Sequence, residues 1–348
     1  MIKSFARSIS IFLGVSLLVF LLFHLSGNDP VRNVLGENTN AEIIENTRKK
    51  WNLDLSLTEQ YFLFLNGMSP ISFHSSDESS RWAWQESFQG SKFQLGDWTL
   101  GLKWPYLGKS YINDQNVSEV LFSVLPATLL LATVSILLSL IIGVMLGIVA
   151  ARHENTIWDK MLISISSLGM SAPSFFMAIV LAWLLAVQWG SFTGLPLTGS
   201  LYDLDPWTGR HIEWRNIVLP VITLMIRPLG VVVQLMRSSL LEIYQQDFIR
   251  TARAKGLSES RILWVHAVPN SMNAVLTAIS GWFASLLAGA LFVEFVFGWR
   301  GMGQVMFQSI EKGDLPILMG GVITIALIFM VIDILMNRLY RLLDPRLS

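Results

Sequence analysis

One short stretch of the sequence combines basic and small residues in a pattern suited to binding another protein. The segment from Gln246 to Lys255 is predicted to be a helix with an apolar ridge and basic flanks. Its apolar or small residues are Phe248, Ile249, Ala252 and Ala254, and its basic residues are Arg250, Arg253 and Lys255. Such a ridge suits a groove on a partner protein, but a basic amphipathic segment can also lie on anionic lipid or remain a solvated loop. The residue types alone leave these three interpretations open.

The residues after this helix predict a sharp turn and a second helix. Gly256 stands where a helix ends in the left-handed conformation, which glycine adopts at little cost. Ser258 suits the N-cap of the next helix, and Leu257 and Ile262 have the spacing of a hydrophobic staple. The segment is therefore expected to be helix, glycine turn, helix.

Three charged residues lie inside long apolar runs, where a charge is costly and usually faces a bundle interior or a wet cavity. One of them, Asp333, lies near the inner end of the last run, where it is interpreted as reaching the membrane interface. Arg227 lies near the middle of one run and is followed by Pro228, and Glu294 lies near the end of the next. Each is interpreted either as bordering a translocation path or as a structural group. In the path interpretation, Arg227 would meet a carboxylate of the solute. The residue types alone leave both interpretations open for each of the two residues.

The sequence lacks the motifs of several enzyme classes. It contains no cysteine, which excludes disulfides, thiolate metal sites and cysteine catalysis. It has no G-x-x-x-x-G-K-[ST] phosphate loop, no H-E-x-x-H zinc motif and no G-x-S-x-G elbow. The histidines do not cluster in sequence, so no metal site is predicted. The formal net charge of +0 gives no basic field that would indicate nucleic acid.

The composition indicates lipid as the solvent for most of the chain. Of the 348 residues, 52% are hydrophobic and 14% are charged, whereas soluble domains carry about a quarter charged residues. A helix needs roughly 20 apolar residues to cross the hydrocarbon core. The runs of that kind are Ile9–Leu25, Leu125–Ala151, Met161–Val187, Ile217–Met236, Ala274–Phe297 and Leu315–Met336. The predicted fold class is an all-α membrane protein with six transmembrane helices.

Lysine and arginine in the short loops predict that both termini are cytoplasmic. The predicted inner segments hold Lys3, Arg7, Arg152, Lys160, Arg237, Arg250, Arg253, Lys255, Arg261, Arg338, Arg341 and Arg346, and the short outer loops hold only Arg210, Arg215, Arg300 and Lys312. The first run is interpreted as a retained span, not a cleaved signal peptide. It is longer than a typical signal core, and no small-x-small cleavage site is obvious before Asn28.

Three regions follow from this pattern: an N-terminal transmembrane helix at 1–26, a small extracytoplasmic subdomain at 27–117, and a core of five transmembrane helices at 118–348. The core contains a long cytoplasmic loop at 237–271. In the subdomain, Thr39 is expected to cap a helix over Ala41–Lys50. The tryptophans at 82, 84, 98 and 104 are interpreted as a miniature core, with the membrane interface and a partner-docking surface as alternatives.

The loop sequence DFIRTARAKGLSESRILWVHAVPN, at Asp247–Asn270, resembles the cytoplasmic signature loop of ATP-binding-cassette importer permeases. The likeness is greatest to the dipeptide, oligopeptide and nickel permeases. Further motifs similar to that family are GKSYINDQNVSEVLFSVLPAT at Gly108–Thr128, SAPSFF at Ser171–Phe176, VEFVFGWRGMG at Val293–Gly303 and LDPRL at Leu343–Leu347. This chain departs from the family's commonest Glu-Ala-Ala by having Thr251-Ala252-Arg253, and its stretch Asn66–Trp104 is longer than in typical members.

The resemblance implies that the loop forms a coupling helix, which inserts into a cleft of a cytoplasmic ATPase. The positions carried over to ATPase coupling are Asp247, Arg250, Thr251, Ala252, Arg253, Lys255, Gly256 and Leu257. The implied partners are a second homologous permease, two ATP-binding subunits that hold ATP and Mg, and an extracytoplasmic solute-binding protein. No cofactor is implied in this chain, which is expected to be a transport subunit and not an enzyme.

The resemblance further implies a bacterial inner-membrane location and a di- or oligopeptide solute. Nickel chelates, opines and sugars are less favoured alternatives for the solute. The alternative is a self-contained secondary transporter or channel. Such proteins commonly show paired broken helices and internal repeats, and no repeat is evident in this sequence.

Overall fold

The computed structural model describes residues 2–25, 29–36, 39–205 and 209–343. The helices are α1 Ile2–Leu25, α2 Pro30–Leu35, α3 Ala41–Lys50, α4 Leu57–Met68, α5 Val117–Arg152, α6 Ile157–Ser171, α7 Ser174–Leu181, α8 Gly190–Thr193, α9 Val218–Tyr244, α10 Asp247–Ala254, α11 Glu259–Arg261, α12 Val268–Phe297, α13 Met302–Lys312 and α14 Leu315–Leu343. The strands are β1 Ile71–Ser75, β2 Gly90–Leu95, β3 Trp98–Lys103, β4 Tyr202–Asp205 and β5 Gly209–Ile212. Residues 182–188 and 262–267 are π-helical, and 214–217 form a 3₁₀ turn. All of the LDPRL motif beyond Leu343 lies outside the described residues.

The chain forms two compact units. The first comprises 1–124 and 305–327, and the second comprises 125–304 and 328–348. The domain boundaries predicted from sequence remain a prediction.

Several helices have the length and composition to cross a membrane. Within the described residues, four do so singly: Val117–Arg152, Trp214–Tyr244, Glu259–Phe283 and Leu315–Ile332. The pair Ile157–Ser171 and Ser174–Gln188 qualifies jointly as a fifth, but it is bent by 110°. The remaining apolar stretch, Phe12–Leu25, is shorter than a full span. The chain is therefore a multi-pass membrane protein, while the count of six spans stays a prediction.

The bend in the fifth candidate lies at Pro173. Helix α6 ends at Ser171 and α7 begins at Ser174. Ala172 is extended, with φ −74° and ψ 133°, because a residue that precedes proline is disfavoured in the helical region.

The core of the second unit is built on close packing between α5 and α9. A Cβ atom added to Gly143 would lie 2.7 Å from Cβ of Val232, and one added to Gly147 would lie 2.7 Å from Cβ of Met236. Val232 and Met236 are both buried. Two glycines four residues apart therefore allow α5 and α9 to approach closely. This packing positions α9, the helix that carries Arg227 and Arg237.

The first unit contains a sheet, so the all-α prediction is wrong for this segment. Strands β1, β3 and β2 pair antiparallel in that order. The cause is a period-two alternation in ISFHS and WTLGLK, which suits a strand and not a helix. A second antiparallel pair, β4 with β5, lies between α8 and α9 in the second unit.

The predicted cap of α3 is also wrong by one residue. The side chain of Asn40 accepts a hydrogen bond from the backbone N–H of Glu42 at 3.1 Å. Thr39 instead donates its hydroxyl to the carbonyl oxygen of Leu35 at 2.6 Å. Asn40 immediately precedes α3, and asparagine is among the strongest N-cap residues. Asn40 is therefore the N-cap of α3 in place of Thr39.

Candidate functional site

Helix α10 buries one side and exposes the other. Ile249 and Ala252, three residues apart, are buried in the hydrophobic core of the second unit together with Ile262 and Leu263. On the opposite side, the side chain of Arg250 is 75% exposed and lies 3.6 Å from the carboxylate of Asp247. The structure thus places Ala252 against the chain's own core, whereas Asp247 and Arg250 face outward.

The glycine turn forms as the sequence predicts. Gly256 has a φ of +78°, which strains residues with a Cβ atom other than asparagine and aspartate. Its N–H donates to the carbonyl oxygen of Arg253 at 2.9 Å, and the N–H of Leu257 donates to that of Ala252 at 3.3 Å. An added Cβ at Gly256 would meet nothing within 4 Å, so the requirement for glycine is conformational and not steric. Ser258 caps α11 by accepting from the N–H of Arg261 at 3.4 Å.

An ion pair across the turn holds the two short helices together. Arg253 donates from Nε to Oε1 of Glu259 at 2.7 Å and from Nη2 to Oε2 at 3.2 Å. Its guanidinium also lies 5.8 Å from the ring centre of Tyr244 at the end of α9. Arg253 is therefore engaged within the chain. The sequence analysis missed Glu259 because six residues across a turn match no helical spacing.

The segment after the turn continues into a long helix without a break. Helix α11 passes into the π-helical residues 262–267 and then into α12. Ile262, Leu263 and Ala267 of the π-helical part are buried in the core. Short π-helical stretches within helices are frequent at functional sites. This continuity joins α10 and the glycine turn to the helix that carries Glu294.

A buried ion pair missed by the sequence analysis joins α6 to α9. Arg237 donates from Nε to Oδ1 of Asp159 at 2.6 Å and from Nη2 to Oδ2 at 2.7 Å. Asp159 also accepts from the backbone N–H of Asn155 at 2.9 Å. One sequence feature could have indicated this pair: Asp159 is an acidic residue in the first turn of α6. Arg237 was considered only as one of the positive charges that predict the inner side of the membrane.

Arg227 has an incompletely satisfied guanidinium. Its Nε is buried and has no hydrogen-bond partner, and its guanidinium lies 5.4 Å from the ring centre of Trp282 in α12. It takes part in none of the ion pairs formed by the described residues. A buried donor without an acceptor is costly, and an arginine fork matches a carboxylate in geometry. The guanidinium of Arg227 therefore carries a donor, Nε, for which the described residues supply no acceptor.

Glu294 lies in a different setting, fully buried among backbone donors. Its Oε1 accepts from the hydroxyl of Thr128 at 2.6 Å, and its Oε2 accepts from the backbone N–H of Gln304 at 3.2 Å. The hydroxyl oxygen of Thr128 in turn accepts from the N–H of Met302 at 2.8 Å. Together the two side chains satisfy N–H groups in the first turn of α13, where a negative charge is favoured by the helix dipole.

The glycines of the VEFVFGWRGMG motif make room for this carboxylate. A Cβ atom at Gly301 or Gly303 would clash with the side chain of Glu294. These contacts favour the structural interpretation of Glu294 that the sequence left open. Within the described residues, Arg227 and Glu294 have no direct contact with each other.

Comparison with known families and proteins gives one consistent match. Residues 143–348 match the family described as binding-protein-dependent transport system inner membrane component, and residues 1–92 match the N-terminal region described for the same kind of component. A protein of Brucella abortus, whose name describes a peptide transport system permease, is 31% identical over 346 residues. That alignment covers 99% of this chain and 97% of the relative.

Two further relatives carry dipeptide names. The di/tripeptide transport system permease DppB of Pseudomonas aeruginosa is 29% identical and covers 97% of this chain and 94% of its own length. The dipeptide transport system permease DppB of Escherichia coli has the same identity and coverage. Among solved structures, an inward-facing MetNI methionine ABC transporter matches with a TM-score of 0.52 at 18% identity. This match covers 65% of this chain and 97% of that one, and it supports the fold alone.

Proposed function

The chain belongs to the binding-protein-dependent transport system inner membrane components, which are the permease subunits of ATP-binding-cassette importers, and we propose that its solutes are di- or oligopeptides. The observation that carries this proposal is the full-length likeness to permeases named for peptide and dipeptide transport. The incompletely satisfied guanidinium of Arg227 supports it, because every such peptide has a carboxylate at its C-terminus.

In the proposed mechanism, α10 and the Gly256 turn form the contact with the ATP-hydrolysing subunits. The outward residues Asp247, Arg250, Thr251 and Lys255 meet the ATPase, while Ala252, Gly256 and Leu257 shape the segment from within. Because the turn continues into α12, a displacement of α10 moves α12 with it. Trp282, which faces Arg227, belongs to α12, so the helix that follows the loop also contacts the residue proposed to bind the solute.

Two arrangements of the spans are required for transport, and the ATPase shifts their populations only if it contacts them differently. We propose that ATP and Mg are held by the partner ATPases, since this chain lacks a phosphate loop. A second homologous permease and a solute-binding protein complete the importer. The six predicted spans are α1, α5, α6 with α7, α9, α12 and α14, with both termini cytoplasmic.

Uptake of a radiolabelled dipeptide in a strain that lacks the chain tests the proposed solute and the role of Arg227. The wild-type chain should restore uptake, while Arg227→Ala should abolish most of it and leave the amount of copurified ATPase unchanged. The matched control is Arg215→Ala, an exposed arginine before α9, and its uptake should remain normal. Normal uptake by Arg227→Ala would show that Arg227 does not contact the solute during transport. Failure of the wild-type chain to restore uptake would show that peptides are not its solutes.

A further inference from the structure

In the three-stranded sheet of the first unit, the polar face is buried on β1 and β3, and the apolar face is exposed. Ser72, His74, Thr99 and Lys103 on β1 and β3 are at most 8% exposed. Residues directly opposite each other in an antiparallel pair share a face. The pairs Ile71 with Leu102, Phe73 with Leu100, Phe93 with Leu100, and Leu95 with Trp98 all lie on the other face.

We call this surface the apolar sheet face; it consists of Ile71, Phe73, Phe93, Leu95, Trp98, Leu100 and Leu102. All of these except Leu100 are between 53% and 62% exposed. The face therefore presents on the order of 600 Å² of apolar surface, which marks a protein or membrane contact in proteins generally. The remaining positions on this face within the three strands are Ser75 and Ser91, so it carries no charge.

Contacts on the polar side fix the sheet in this orientation. His74 shares a 2.8 Å hydrogen bond with Ser72 and packs against the rings of Trp84 and Phe88, with centroid distances of 5.1 and 5.2 Å. The ammonium of Lys103 lies 4.5 Å from the centre of the Phe88 ring and donates to the carbonyl oxygen of Gly67. The apolar face is thus a permanent surface of the folded unit.

The sheet is attached to a helix that packs on the first apolar helix of the chain. Asn66 of α4 exchanges two hydrogen bonds, of 2.8 and 2.9 Å, with the backbone of Phe73. Six residues earlier in α4, which is about 9 Å along a helix axis, Gln60 contacts His24 at 3.2 Å. Tyr61 reaches Ser16 at 2.9 Å. The edge of the sheet is therefore held close to the end of the apolar stretch Phe12–Leu25.

We propose that the apolar sheet face lies in the interfacial layer of the lipid bilayer, on the leaflet where α1 ends. Attachment beside the end of a membrane helix brings the face to lipid. Trp98 on the face and Trp104 just beyond β3, which is 76% exposed, supply the indole rings that this layer favours. A surface without charges has few groups with which to select one protein partner. The leaflet assignment, outer, rests on the proposed orientation of the chain.

Fluorescent labels on single cysteines can test this proposal in the full chain, because the native sequence has no cysteine. Phe93→Cys and Leu95→Cys place a label on the apolar sheet face. The matched controls are Lys92→Cys and Gln94→Cys, exposed positions on the opposite face of the same strand. Each variant is labelled with an environment-sensitive dye, reconstituted in liposomes and quenched either by lipids brominated near the headgroup or by aqueous iodide.

The expected result is severalfold stronger quenching by brominated lipid at positions 93 and 95 than at 92 and 94, with the reverse order for iodide. Equal iodide quenching on both faces, without lipid quenching, would overturn the proposal. In a further outcome, the labels at 93 and 95 lose iodide quenching only when a second permease or a solute-binding protein is added. That result would show that a protein covers the apolar sheet face, and it would also overturn the proposal. The peptide-uptake assay is independent of either result.

Discussion

The guanidinium of Arg237 binds the carboxylate of Asp159 through two hydrogen bonds, of 2.6 and 2.7 Å, and so joins the start of α6 to the last turns of α9. Asp159 is 3% exposed, so its charge depends on this partner. The same end of α9 meets the loop through the contact between Tyr244 and Arg253. The pair therefore stabilises the part of the bundle from which α10 projects.

Removing either partner of this pair should destabilise the chain. Arg237→Gln leaves the buried carboxylate of Asp159 without its counter-charge, at a cost of about 2 kcal/mol. Asp159→Asn leaves the half-buried guanidinium of Arg237 unpaired and should cost less. Each variant should lower the apparent melting temperature of the detergent-purified chain. The double variant should lose less than the sum of the two single losses, because the cost is shared. Strictly additive losses would show that the two side chains do not stabilise each other.

Replacement of Gly256 should disturb coupling through backbone strain. Gly256→Ala forces a residue with a Cβ atom to φ +78°, which costs about 1 kcal/mol. It should reduce the amount of solute transported per ATP hydrolysed by the assembled importer. The control Gly256→Asn should behave nearly as wild type, since asparagine tolerates this conformation. If Gly256→Ala and the wild type transport the same amount of solute per ATP hydrolysed, the left-handed conformation at Gly256 is not needed for coupling.

Thr128 should be important for the start of α13. Its hydroxyl both donates to Glu294 and accepts from the N–H of Met302. Thr128→Val keeps the shape but removes both bonds, and should cost about 1–2 kcal/mol, as loss of a helix cap does. Thr128→Ser should retain most of the stability. Apparent melting temperatures of the two variants provide the measurement, and an unchanged value for Thr128→Val would contradict the assigned role.

The stability of the three-stranded sheet should rise with pH above about 8. Burial lowers the pKa of Lys103 from 10.5 to about 8. Between these values the unfolded chain binds more protons than the folded chain, so the free energy of unfolding increases with pH there. Below about pH 8, Lys103 is protonated in both the folded and the unfolded chain, so the folded chain bears the full cost of burying its positive charge. Denaturation of the wild type and of Lys103→Met, followed by tryptophan fluorescence, should show this slope only in the wild type.

Much of the bundle and of the loop follows from local sequence signals. Long apolar runs predicted the helices α5, α9, α12 and α14. The turn at Gly256 and the cap at Ser258 were predicted because each depends on one residue and its immediate neighbours.

Features that depend on distant residues were not predicted. The pairs Asp159 with Arg237, and Thr128 with Glu294, join helices far apart in sequence, and no periodicity reports such contacts. The sheet was missed because its apolar side chains alternate over only a few residues in a segment dominated by tryptophan, serine and charge. That the polar face is buried and the apolar face exposed can be recognised only once the register of all three strands is known, and the sequence does not give this register.

Cysteine crosslinking of α10 in the assembled importer tests the central claim most directly. Phe248→Cys and Arg250→Cys, both exposed on α10, would be paired with single cysteines in the cleft of the copurified ATPase. Arg215→Cys would serve as the control. The account predicts crosslinks from positions 248 and 250 whose yield changes between the ATP-bound and nucleotide-free states, and none from position 215. Absence of crosslinks from α10 while the ATPase still copurifies with the chain would contradict it.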